Sequence, residues 1–135
     1  LLHICPETMK NLEGAEDFRE AVTVLKRGGI YHFTWSCDDT GSEDYHVNYG
    51  ISDSLYGPVK YLYPVLEKRP GAGVLGTGHH CIFREPQEDI YYMAYHRFAT
   101  PVSDYPEGKG YHRETCIDRV EFGTDGRMKP VQVRP

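Results

Sequence analysis

No stretch of the 135 residues approaches the ~18 consecutive apolar residues of a membrane-spanning helix, which excludes a helical membrane protein. The four cysteines, Cys5, Cys37, Cys81 and Cys116, form no CxxC pair, so neither a zinc finger nor a dense disulfide scaffold is indicated, and free buried thiols are expected. Cationic surplus is also missing. Lys and Arg number 15 against 20 Asp and Glu, and they are scattered, which argues against a nucleic-acid partner. Helical periodicity is nearly absent, with only residues 12–20 compatible with a short helical turn. The first ten residues lack an initiator Met, a basic leader and a long apolar core. They read neither as a signal peptide nor as a natural protein start. The compartment stays open, a secreted or periplasmic one being compatible.

Tyrosine, by contrast, is abundant, with 11 copies beside a single Trp. Its flat apolar face and polar tip suit strands and also suit sugars. Short β-branched and aromatic runs separated by turn residues predict strands at 22–26, 30–36 and 45–52, and a partial strand at 59–66 interrupted by Pro64. In the second strand Tyr31, Phe33 and Trp35 share one face. The plan then repeats, with strands at 81–84, 90–98, 113–122 and 128–134, and with Ile30-Tyr31 matching Ile90-Tyr91. Two units of four antiparallel strands predict an all-β fold of β-propeller blades, one over about 18–66 and the other over about 78–135. A β-sandwich is the alternative that composition leaves open. Two blades alone would expose broad apolar faces, so further blades or a second copy of the chain are expected as partners.

The repeat sets Glu20 ten residues before Ile30 and His80 ten before Ile90, with His79 adjacent. In a propeller these points lie near the mouth of the central channel. A carboxyl at Glu20, just ahead of an apolar strand, would be partly desolvated and so inclined to hold a proton. It could then protonate a leaving oxygen. The bland alternative is an ion pair with Arg19 or Lys26. His79 and His80 follow Gly76-Thr77-Gly78, and at most one should face the axis, because neighbours on a strand point to opposite sides. That one could meet a metal, directly or through water. His96 and Arg97 end one strand. Arg113 opens another, where its guanidinium fork could take a sugar hydroxyl or pair with Glu114 or Asp118. Asp38 and Asp39 fit a turn better than a catalytic role.

With these residues in order, the sequence resembles glycoside hydrolase family 43 from about residue 17 to 133. The matching runs are FREAVTVLKRGGIYHFTWS, YHVNYGISDSLYGP, GTGHHC, IYYMAYHRF and GYHRETCIDRV. The resemblance implies a five-bladed propeller and inverting hydrolysis of arabinosyl or xylosyl linkages in plant cell-wall polysaccharides. It implies Glu20 as general acid, and Arg113, with Phe18 and His96, as substrate-binding residues. It implies His79 as the channel histidine beside a calcium ion held largely through water, and no other cofactor. Ala21 and Cys81 stand where the family has Gly and Ser. The family's general base and a second Asp that tunes the acid belong to earlier blades and find no match in these residues. The chain alone is therefore expected to be inactive, as a C-terminal part of the enzyme. A carbohydrate-binding or structural remnant that oligomerises is the second reading.

Overall fold

The structure is a computed structural model in which residues 11–135 are described. Two antiparallel sheets follow one another along the chain. The first is ordered β1 (Phe18–Arg27), β2 (Ile30–Cys37), β3 (His46–Ser52), β4 (Lys60–Leu66). The second is β5 (Gly78–Arg84), β6 (Tyr91–Phe98), β7 (Arg113–Val120). Each strand joins its sequence neighbour, as a meander requires, and the β1–β2 turn is Gly28-Gly29, both glycines at positive φ.

Alternation along β2 sorts the first sheet into two environments. Phe33, Trp35 and Cys37 point to one side, where Val59, Leu12 and Ala15 close over them. The Trp35 indole donates to the Glu16 carbonyl at 2.7 Å, which ties residues 11–17 down as a cover. His32, Thr34 and Ser36 point to the other side, toward the second sheet. There Val47 and Tyr49 of β3 and Val65 of β4 meet Tyr91, Met93 and Tyr95 of β6 in one shared core. This packing of sheet on sheet is where the core lies.

Four expectations are corrected. Residues 12–20 form no helical turn, because β1 already begins at Phe18. Pro64 does not interrupt the fourth strand. It lies inside a continuous β4 on the sheet edge, beside a register shift between Val47 and Asn48, where its missing N–H breaks no ladder. The second unit has three strands, not four. Beyond β7 only a single bridge, Phe122 to Met128, remains, and Val131 donates its N–H to the Val65 carbonyl of the first sheet at 2.7 Å. The tail is thus drawn back across the sheet boundary, and Met128, Val131 and Val133 complete the shared core. Finally, Cys81 is exposed and only Cys37 is fully buried, while Cys5 lies outside the described residues.

Met93→Ala should lower unfolding free energy by about 2–5 kcal/mol in urea titration, since it empties the inter-sheet core. Ile117→Ser, at a residue 53% exposed, should change it by less than about 0.5 kcal/mol. Equal losses would contradict the assignment of the core.

Candidate active site

The two sheets meet at one end through the opening residues of β1 and β5, and both strands are bulged there. In β1 the register slips between Phe18 and Glu20 and again between Glu20 and Thr23, with Ala21 at φ 58°. In β5 it slips between Gly78 and Cys81, with His79 at φ 45°. Left-handed backbone is uncommon at non-glycine residues, and a bulge re-aims the adjacent side chains. The registers also revise the repeat. Glu20 lies opposite Ser36 and Gly78 opposite His96, and Ser36 and His96 occupy matching places in β2 and β6. Glu20 is therefore the counterpart of Gly78, and Ala21 that of His79, not Glu20 of His80. The longer β5–β6 turn offsets the equal ten-residue spacing.

The two histidines separate as expected. His80 is buried, with Nε2 at 2.6 Å from Thr34 Oγ1. His79 is exposed and lies beside Glu20, its backbone N–H donating to Ser36 Oγ at 3.0 Å. One of its ring nitrogens, Nδ1, stands 3.9 Å from Glu20 Oε1. The same Glu20 oxygen accepts a 2.8 Å hydrogen bond from the Tyr45 hydroxyl. The Tyr45 ring stacks on His96 at 5.6 Å, and His96 stacks on His79 at 6.0 Å. Gly78 makes room for this: a Cβ there would stand 2.3 Å from the Tyr45 ring. Neither Arg19 nor Lys26 holds Glu20. Arg19 lies 3.6 Å from Asp39, and the Lys26 ammonium sits over the Tyr31 ring.

Arg113 opens β7 beside this cluster. Its Nε donates to the Gly110 carbonyl at 2.9 Å and its Nη2 to the Thr40 carbonyl at 2.8 Å, so it is anchored by loops from both sheets. It pairs with neither Glu114 nor Asp118, which are engaged by Arg97 and Arg134 at 2.7 and 2.8 Å. Arg97 is buried and structural. Phe18 is half exposed and takes no part in the ring stack. Asp38 and Asp39 form a turn, as expected: the Asp38 carboxylate accepts from the Asp39 N–H, and that of Asp39 from the Gly41 N–H. Tyr45 was not singled out in the sequence. Its only signal there is its place at the start of a strand, which many of the 11 tyrosines share.

The charges acting at the cluster are few. Glu20 is the one carboxylate and Arg113 the one guanidinium that bear on both Tyr45 and His96. Burial, then Arg113, then His79 push His96 down to about 4. Burial, helped by His79, pushes His80 to about 4 as well. Both rings are thus uncharged at neutral pH. Calcium takes six to eight oxygen ligands. Among the described residues no group of three His, Cys, Asp or Glu side chains could hold a metal, and at this end the chain offers the His79 imidazole and the Glu20 carboxylate. These residues do not on their own supply the ligands of a calcium ion.

Both histidines have folded pKa values depressed below their unfolded value, near 6.5, so the unfolded chain binds more protons between pH 6.5 and about 4. Stability should be intact above pH 6.5 and fall as pH drops through that window. Urea unfolding at pH 7, 5.5 and 4.5 checks this, and His80→Gln should flatten part of the slope. An unchanged slope in that variant would contradict the buried neutral His80.

The family model described as glycosyl hydrolases family 43 matches residues 4–128. A β-D-galactofuranosidase of Aspergillus niger is 35% identical over 118 residues, covering 87% of this chain and 33% of that protein. The chain thus spans about a third of the length of that relative. Among solved structures, a thermostable family-43 glycoside hydrolase is 31% identical with a TM-score of 0.71, over 84% of this chain and 35% of the other. An α-L-arabinofuranosidase from Clostridium thermocellum is 26% identical with a TM-score of 0.62, over 87% and 37%. The two sheets are accordingly blades of the five-bladed propeller of these proteins, the second one three-stranded. In sequence and in fold alike, this chain belongs to the glycosyl hydrolases of family 43.

Proposed function

We propose that the protein carrying this chain is a glycosidase in which Glu20 is the general acid. The observation that carries this reading is the seat of the Glu20 carboxylate. It lies at the meeting point of two blades, with its side chain 38% exposed, hydrogen-bonded to Tyr45 and close to His79. A carboxyl that is sheltered yet open to solvent on one side can receive a glycosidic oxygen and protonate it as the bond to the anomeric carbon breaks.

Around it, Arg113 is the proposed sugar contact. Its Nε and Nη2 are held by backbone carbonyls, which leaves Nη1 to meet a hydroxyl or ring oxygen. The uncharged His96 edge and Phe18 would line the same subsite. Attack by water from the far side of the sugar requires a second carboxylate about 6.5–9.5 Å from the acid. We assign that base to a part of the protein outside these residues, and hydrolysis is proposed to invert the anomeric centre. A cation near His79 would be held through water, and no step here depends on it. The substrate class is arabinosyl or xylosyl linkages of plant polysaccharides. Galactofuranosyl linkages join them because one relative is a galactofuranosidase, and it shares the furanose ring with the arabinofuranosidase.

A second reading has its own observation. The outer face of the second sheet carries Phe83, 44% exposed, stacked on Tyr92, with Ile117 and the exposed Cys81 beside them. Such a face suits a structural or carbohydrate-binding module that associates with copies of itself. Light scattering behind size-exclusion chromatography separates the readings, and a monodisperse monomer would count against self-association.

In the full-length natural protein, Glu20→Gln should lower kcat on phenyl arabinofuranosides, xylosides or galactofuranosides by roughly 10²–10⁴. Retained activity would remove Glu20 from the reaction. The purified 135-residue chain should show no turnover of the same substrates. Activity in that material would overturn the placement of the base outside these residues.

A further inference from the structure

A general acid must present one carboxyl oxygen to the leaving group while the other is held still. Glu20 sits between two register shifts in β1, so the strand ladder does little to fix its side chain. The firm partner is Tyr45. Its ring is fully buried, and Gly78 backs it so closely that even a methyl group there would collide with it. It also stacks on His96 with only 10° between the planes. The phenol therefore has one place to be, and from there its hydroxyl meets Glu20 Oε1 at 2.8 Å.

Ser36 is buried beside this pair: its Oγ accepts the His79 N–H at 3.0 Å, and its hydroxyl bears on the Tyr45 phenol. Glu20 Oε1 accepts, so the phenol is the donor in that bond. Burial keeps that O–H protonated, pushing the phenol up to about 12. His79 N–H with Ser36, and Tyr45 with Glu20, thus lie together where the second blade meets the first.

We propose that Tyr45 is a positioning residue for the general acid: it holds Oε1 of Glu20 so that Oε2 carries the proton to the departing oxygen. This rests on the reading of Glu20 given above. As the bond from the anomeric carbon to the glycosidic oxygen breaks, its electron pair goes to that oxygen, which takes the Oε2 proton. Water forms the new bond to the anomeric carbon and gives its own proton to the carboxylate base assigned outside this chain. The negative charge left on Glu20 falls on the group to which Tyr45 donates. A hydrogen bond to an ionised acceptor is roughly twice as strong as one between neutral groups. Tyr45 therefore favours the transition state over the ground state.

The test uses leaving groups in the full-length natural protein, with phenyl and 2,4-dinitrophenyl glycosides of one sugar that the unmodified enzyme cleaves. Dinitrophenolate departs without protonation and phenolate does not. Tyr45→Phe should lower kcat/KM on the phenyl glycoside by about ten-fold and on the dinitrophenyl glycoside by less than about two-fold. Ser36→Ala should show the same dependence with a smaller loss, which serves should Tyr45→Phe not fold. Equal losses on both substrates, or none, would overturn the proposal. Glu20→Gln, measured alongside, separates the two ideas. If that variant shows no leaving-group dependence, the assignment of the acid itself fails. If it does and Tyr45→Phe does not, only the role of Tyr45 is lost.

Discussion

The seam between β2 and β5 is the contact on which the rest depends. Two side chains of β2 reach across it: Thr34 to the His80 ring and Ser36 to the His79 backbone. Both are buried, at a place where the shared apolar core gives way to polar groups. A buried polar group must find a partner or destabilise the fold, so these contacts fix one blade against the other more sharply than apolar packing can. The register they set brings Gly78 against the Tyr45 ring, and with it Tyr45 against Glu20. Loops reinforce the same end. Glu43 of the first blade binds both Lys68 and Lys109, and Arg113 reaches back to the Thr40 carbonyl.

The electrostatics of this end follow from that geometry. Two imidazoles are held uncharged chiefly by burial; His79 bears on both of them, and Arg113 and Glu20 bear on His96 as well. Apart from Glu20, Arg113 and His79, the groups that meet there are uncharged hydrogen-bonding side chains and flat ring faces, a surface of the kind the proposed sugar substrate would need.

Much of this was legible in the residues. Alternation placed Tyr31, Phe33 and Trp35 on one face, and the Ile-Tyr pairs disclosed the repeat. Glu20, His79, His96 and Arg113 come together at one end; the ten-residue spacing pointed to Glu20 and the histidine pair, and the resemblance named His96 and Arg113. What escaped was whatever depends on contacts between distant segments. The bulges at Ala21 and His79 use positive φ without glycine, so no residue type announces them. The tail resembles a strand, yet Val131 finds its acceptor on Val65 of the other sheet. Tyr45 looks like any strand tyrosine until Gly78, 33 positions later in the numbering, is packed beneath it.

The stereochemistry of the first product tests most directly whether Glu20 acts as a lone acid opposite a distant base. Proton NMR of the full-length natural protein, recorded within minutes of adding an aryl glycoside that it cleaves, resolves the anomeric signal before mutarotation. We expect the inverted anomer to appear first. The retained anomer would contradict this arrangement, because retention needs a second carboxyl only about 5–5.5 Å from the acid, acting as a nucleophile.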